Sequence, residues 1–281
     1  MTTANDFFEI LGLTRELVMR AAHPKRRTIG LSPELASFFN AANDATPSPN
    51  AAEEYNDTAA AAPALAAVAP SIEDVSTIGT LAELQRIVSG CRRCALCETR
   101  TQTVFSDGSS TAKLAFVGEA PGADEDRQGV PFVGKAGHLL TDIIVKGMKM
   151  RREDVYICNV IKCRPPNNRD PLPAEKGQCE PYLIRQLELL KPKMICALGR
   201  HAVATLLRTE QSIARLRGKW HFYRGVPVRV TYHPSYLLRN PEDKKLVWDD
   251  IQHVMRALNG EEDPFAGMPR PDSEGPSPFS E

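Results

Sequence analysis

Between residues 113 and 258, short apolar runs alternate with longer amphipathic ones, and no other feature of the chain limits its fold so strongly. Residues 113–117, 155–159, 193–198 and 226–232 are brief and apolar, with many β-branched side chains, and read as four strands. Between and after them, residues 135–147, 173–190, 201–207 and 241–258 read as helices. Pro173 opens the second of these, in the first turn, where its missing N–H costs nothing. Strands separated by helices return to the same end of a sheet, so the pattern predicts the α/β class: a mainly parallel sheet with helices on both faces. Ligands of such sheets bind beyond the carboxyl ends of the strands. The unusual loops fall there: Gly118-Glu119-Ala120-Pro121-Gly122 after the first strand, Asn159 closing the second, and His233-Pro234-Ser235 after the fourth. An active site is expected where these three meet.

The formal net charge is zero, but the charge is unevenly spread. Residues 1–80 hold 5 Lys/Arg and 10 Asp/Glu, residues 81–258 hold 29 and 19, and residues 259–281 hold 1 and 6. A basic middle suits a polyanion such as nucleic acid, though a merely solvated basic surface has the same composition. The ends have a different texture. Residues 1–45 read as an extension with short helices at 6–20 and 33–42, a candidate docking element for a protein partner. Residues 46–80 read as a disordered Ala/Pro-rich linker, and residues 259–281 as a disordered acidic tail. Residues 81–258 are the expected domain. No apolar run reaches the ~18–20 residues of a membrane span, and the N-terminus lacks the pattern of a signal peptide. A cytoplasmic monomer is expected.

Seven cysteines in such a chain argue for thiol or metal chemistry rather than a disulfide framework. Cys158 and Cys196 lie inside apolar strands and read as small buried side chains. Cys91, Cys94 and Cys97 form C-x2-C-x2-C, a spacing that delivers thiolates to one zinc ion or iron–sulfur cluster. Cys163 and Cys179 are the natural partners that complete a set of four, with Cys97 as a substitute. Spacing alone does not choose between zinc and iron.

Three longer motifs are more specific. Gly118-Glu119-Ala120-Pro121-Gly122-Ala123-Asp124-Glu125-Asp126 with Gly129-Val130-Pro131-Phe132-Val133-Gly134-Lys135-Ala136-Gly137, then Asn159-Val160-Ile161-Lys162-Cys163-Arg164-Pro165-Pro166-Asn167-Asn168-Arg169, then His233-Pro234-Ser235-Tyr236-Leu237-Leu238, resemble the ordered motifs of family 4 uracil-DNA glycosylases. The resemblance runs from about residue 81 to 258. It implies a four-stranded parallel sheet in a three-layer α/β/α sandwich, and a [4Fe–4S] cluster on Cys91, Cys94, Cys163 and Cys179. A related branch that traps DNA covalently carries a basic insertion with a histidine after the central asparagine. Here Asn159 runs straight into Val-Ile-Lys-Cys-Arg-Pro-Pro, which favours the hydrolytic enzyme.

The resemblance also assigns roles on uracil-containing DNA, single- or double-stranded. A uracil in a duplex must be flipped out of the stack to be reached. Leu237 and Leu238 suit an apolar wedge for the vacated space, or are ordinary core leucines; Arg239 suits a phosphate. Small residues at Ala120, Gly122 and Ser235 permit close approach. Phe132 is the ring for stacking, unless it is core. Asn159 reads the uracil edge, accepting from N3–H and donating to O4. Glu125 is the candidate for blocking the thymine methyl, or a solvated acid. His233 donates to O2 as negative charge develops there. The best-known uracil glycosylases use an aspartate where this loop has Ala120, so Glu119 becomes the candidate for positioning the water, with a main-chain-bound water as the alternative. No lysine stands where Schiff-base attack would need it, so a monofunctional enzyme is expected. A DNA-binding module without catalysis and a small ferredoxin-like redox protein are the competing classes.

Overall fold

The computed structural model describes residues 75–267. The expected helices over 6–20 and 33–42 lie outside the described residues, as do most of the linker and the end of the acidic tail. Helix α1 (Leu81–Ser89) is capped by Thr80, whose hydroxyl accepts from the Glu83 N–H. After it come β1 (Asp107–Gly108), β2 (Leu114–Gly118), α2 (Ala123–Gln128) and α3 (Lys135–Asp142). Then follow β3 (Tyr156–Asn159), α4 (Pro173–Leu190), β4 (Met194–Leu198), α5 (Gly199–Leu207), β5 (Trp220–Tyr223), β6 (Val226–Thr231), α6 (Pro234–Arg239) and α7 (Lys244–Leu258). Among the described residues, no helix is long and apolar enough to cross a membrane.

The strands form one sheet in the order β1-β3-β2-β4-β6-β5. The inner four, β3, β2, β4 and β6, are parallel neighbours, as the alternation predicts. Two strands extend this core beyond expectation: β1 and β5 pair antiparallel at its edges. Both edge strands are too short to carry an apolar pattern of period two, and β5 is joined to β6 by a hairpin at Arg224-Gly225.

Two apolar layers follow from the period of two along each strand. Ala115, Val117, Tyr156, Cys158, Ile195, Ala197, Val228 and Val230 face α1, α4 and α5. Leu114, Phe116, Ile157, Met194, Cys196 and Leu198 face α3 and α7. The result is an α/β/α sandwich, with Cys158 and Cys196 buried in opposite layers.

Three boundaries differ from the sequence reading. The helix expected to reach residue 147 leaves α geometry after Asp142 and closes in a π-turn, Ile143–Gly147. Within the expected linker, Val75 and Ile78 are buried, and Arg185 donates to the Ile78 carbonyl at 2.9 Å. The linker expectation therefore fails for its last six residues, because two isolated apolar side chains suffice to dock them. The start of the acidic tail also packs back. Glu262 accepts from Trp220 Nε1 at 2.7 Å and pairs with His253 and Arg256, and Phe265 lies against Phe222.

Candidate active site and cysteine cavity

Beyond the carboxyl ends of β2, β3, β4 and β6 lies a cavity of about 570 Å³. It opens at the point where the chain order reverses, since β3 pairs with one side of β2 and β4 with the other. Register brings its first two components together, because Gly118 at the end of β2 pairs with Asn159 at the end of β3. The Asn159 side chain is only 1% exposed, and its Oδ1 has no hydrogen-bond partner. A buried amide oxygen without a partner costs about 1–3 kcal/mol, so it is poised for a donor arriving in the cavity. Its own carbonyl is fixed by Lys162 Nζ at 2.6 Å.

Glycine is required beside it. A Cβ at position 118 would come within 2.5 Å of both Asn159 Oδ1 and the Phe132 ring. Phe132 is itself in the left-handed region, at φ 56°, an uncommon conformation for a bulky residue. It is held there because Gly137 packs against its backbone, where a Cβ would lie 1.9 Å from the Phe132 carbonyl carbon. The Phe132 and His233 rings face one another at 5.5 Å with a 34° tilt.

Glu125 lines the cavity and has a specific local task. Oε2 accepts from the Gly122 N–H at 3.0 Å, and Oε1 from the Val133 and Gly134 N–H groups at 2.9 and 2.8 Å. Its carboxylate caps α2 and ties the two halves of the first motif together. The solvated-acid reading is excluded by these bonds.

His233 is the N-cap of α6. Its Nδ1 accepts from the Ser235 N–H at 3.1 Å and lies 2.8 Å from Ser235 Oγ. A backbone N–H only donates, so the ring proton belongs on Nε2. Burial pushes the imidazolium down to about 4, helped by the nearby Arg239 and His201. At neutral pH the cavity therefore presents a neutral imidazole N–H donor.

Glu119 follows Gly118 directly. Burial, with Asp170 adding to it, lifts its carboxyl to about 7, against the opposing pull of Arg200 and Lys176. Ala120, Gly122, Ser235 and Arg239 also line the cavity. The two leucines separate. Leu237 is 1% exposed and packs into the layer of α3 and α7, so it is a core residue and not part of a wedge. Leu238, one position on, is 47% exposed. A helix turns by 100° per residue, which sends adjacent side chains to different surroundings.

Sequence reasoning missed part of the wall. Asp170, Arg200, His201 and Tyr232 all line the cavity. The signal was present for two of them, since Arg200 and His201 follow the carboxyl end of β4, where the same rule that selected the other loops applies.

A second, smaller cavity lies in the layer of α1 and α4. Cys91, Cys94, Cys163 and Cys179 all line it, with Val88, Arg100, Lys162 and Tyr182, while Cys97 does not. All four thiols are free. Arg100 Nη1 donates to Cys163 Sγ at 3.0 Å, its Nη2 to the Cys91 carbonyl at 2.6 Å, and the Lys162 N–H to Cys179 Sγ at 3.3 Å. Burial raises the Cys163 and Cys179 thiols to about 11 and about 12. Thiolates here accordingly need a cationic group to hold them.

Comparison with known proteins agrees with this geometry. Residues 105–252 match the family model described as the uracil DNA glycosylase superfamily. A type-4 uracil-DNA glycosylase of Saccharolobus solfataricus is 44% identical over 181 residues, covering 61% of this chain and 83% of that protein. One from Thermotoga maritima is 44% identical over 190 residues, 65% of this chain and 98% of that protein. A type-5 uracil-DNA glycosylase of Pyrobaculum aerophilum is 31% identical, covering 53% and 72%.

Proposed function

The chain belongs to the type-4 uracil-DNA glycosylases of the uracil DNA glycosylase superfamily, and from that premise we propose how its cavity removes uracil from DNA. It is a DNA N-glycosylase of DNA repair. Hydrolysis releases free uracil and leaves an abasic site for base excision repair. The proposed assignment is monofunctional, since among the described residues no lysine lines the cavity to attack the sugar.

One observation carries the reading: the buried, unpaired Oδ1 of Asn159 shares a cavity with the Phe132 ring and the His233 N–H. A flipped uracil stacks on Phe132, gives its N3–H to Asn159 Oδ1 and takes a donor from the same amide at O4. Cytosine offers the reverse pattern at those positions and would leave buried groups unpaired, a penalty of several kcal/mol. Ala120, Gly122 and Ser235 leave room for the base and backbone. Glu125 keeps the loop that presents Phe132 in place, and through that loop it is the proposed barrier to a thymine methyl.

Bond breakage sends the C1′–N1 electron pair into the uracil ring, and the water oxygen bonds to C1′. His233 Nε2–H stabilises the charge developing on O2, worth about 3–4 kcal/mol for a preorganised donor. Glu119 accepts the water's proton and, ionised, steadies the cationic sugar. Leu238 is the proposed wedge and Arg239 a phosphate contact.

Cys91, Cys94, Cys163 and Cys179 are the proposed holders of a [4Fe–4S] cluster, which when bound supplies a cross-link between distant parts of the chain. The donor set fits. Four cysteines share one cavity, N–H groups point at two of the sulfurs, and three basic side chains, Arg93, Arg100 and Lys162, line it with them. Among the described residues, no group of three cysteine sulfurs lies within 4.8 Å of one another. Iron content separates such a cluster from a single zinc on the same four sulfurs. Visible absorbance and iron content of anaerobically purified protein test this. A monomer acting on single- or double-stranded DNA in the cytoplasm, where thiols stay reduced, completes the proposal. A glycosylase assay on a uracil-containing oligonucleotide decides the site: Asn159→Ala and His233→Ala lose activity, and full activity in both refutes it.

A further inference from the structure

One ring of the cavity wall has no part in the chemistry above. His201 enters from the first turn of α5, three residues beyond the end of β4. Its Nε2 lies 3.7 Å from Glu119 Oε2, 3.3 Å from Asp170 Oδ2 and 3.1 Å from Arg200 Nη2. Arg200 Nη2 in turn donates to Asp170 Oδ2 at 2.7 Å. Glu119 and His201 are mostly enclosed, whereas the Asp170 and Arg200 side chains reach solvent at 65% and 69% exposure.

We propose that His201 and Asp170 are positioning residues for Glu119, the imidazole standing with its Nε2 proton between two carboxylates and fixing the direction in which Glu119 meets the water. This rests on the reading of Glu119 as the group that takes the water's proton. Two carboxylates converging on one spot repel unless a donor lies between them. Arg200 serves Asp170 from the solvent side, and of Arg200 and His201 only His201 comes within 4 Å of Glu119. With the proton on Nε2 the ring donates to Asp170 at 3.3 Å and turns its N–H edge toward Glu119 at 3.7 Å; with Nε2 bare it accepts from Arg200 at 3.1 Å and turns a lone pair toward both carboxylates. Burial keeps the His201 imidazolium below its ordinary value, so near neutrality the ring holds one proton and the choice is one of tautomer.

The charged groups around Glu119 come from three elements: Asp170 from the segment after β3, Lys176 from α4, and Arg200 with His201 from α5. Their signs set the direction of the test. Glu119 must be ionised to accept a proton, so the rate of the chemical step falls as pH drops through its value, near 7. Removing the Asp170 charge makes ionisation easier and moves this acid limb to lower pH. Removing the Arg200 charge moves it to higher pH.

Single-turnover rates against pH on a uracil-containing oligonucleotide test the arrangement, using the full cluster-loaded chain. Asp170→Asn is expected to lower the acid midpoint, and Arg200→Gln to raise it, each by about one unit. His201→Phe is expected to slow the chemical step about tenfold with KM little changed, and His201→Gln, which retains an N–H, to recover most of that loss. Opposed midpoint shifts are not what general loosening of the fold would produce. Unmoved midpoints in both charge variants, or equal rates for the two His201 variants, would overturn the proposal. Glu119→Gln separates the two levels. If it keeps full activity, the reading of Glu119 falls. If it is inactive while the midpoints stay fixed, only the role of His201 and Asp170 falls.

Discussion

The cavity proposed to take uracil and the cysteine cavity sit on the same α/β/α scaffold and are built on opposite principles. The first is large and open, and it keeps a buried polar atom, Asn159 Oδ1, without a partner. The second is small and lined mostly by buried side chains, two of its sulfurs already receiving N–H groups from Arg100 and Lys162. An unpaired polar group is tolerable where the ligand comes and goes, because the ligand satisfies it in each cycle. A resident group is instead enclosed by the fold and becomes part of its stability. Lys162 belongs to both regions, since it lines the sulfur cavity and holds the Asn159 carbonyl.

The largest effect should come from the cysteine side. Cys179→Ser would remove one holder of the proposed cluster, which would tie α4 to the segment at residue 91, and for a domain stable by about 5–15 kcal/mol we expect loss of a cooperative melting transition by circular dichroism. Cys97→Ser, outside the cavity, should melt as the parent does; an equal loss in both variants would dissolve the distinction. The uracil cavity should behave in the opposite way. Asn159→Ala is expected to lower kcat/KM about 1,000-fold while leaving the melting temperature near that of the parent. His233→Ala should cost about 100- to 1,000-fold in kcat. Because its imidazolium is held down at about 4 by burial, the ring stays neutral above pH 5, and no rate change between pH 5 and 9 should vanish with it. A limb lost in that variant would mean that the ring acts as a cation.

The smallest effects set two adjacent leucines against each other. Leu237→Ala should cost about 2–5 kcal/mol in chemical denaturation, with turnover per folded molecule unchanged. Leu238→Ala should leave stability within about 0.5 kcal/mol and slow excision several-fold from duplex DNA but little from single strands. Similar slowing on both substrates would remove Leu238 from the wedge.

Much of this was legible in the chain, and the failures have physical causes. The four parallel strands and α4 were readable because a period of two or 3.6 is written in local sequence. The edge strands β1 and β5 were not, since runs of two and four residues become strands only when a neighbour offers its hydrogen-bonding edge. The docking of Val75, Ile78 and Glu262 was equally invisible, because each depends on partners far along the chain. Position 125 illustrates the same limit: its acid was visible, but its three backbone donors come from residues 122, 133 and 134, brought together by a turn.

By itself, then, the sequence determined the class of fold, the end of the sheet where the large cavity opens, and the residue types delivered there, because all three follow from short-range pattern. Only the tertiary structure decided that Leu237 turns inward and Leu238 outward, and that His201 reaches Glu119. It also decided that cysteines 88 residues apart in sequence, from Cys91 to Cys179, share one wall. Those outcomes depend on which surface lies opposite each side chain, and proximity through space has no local signature in the chain.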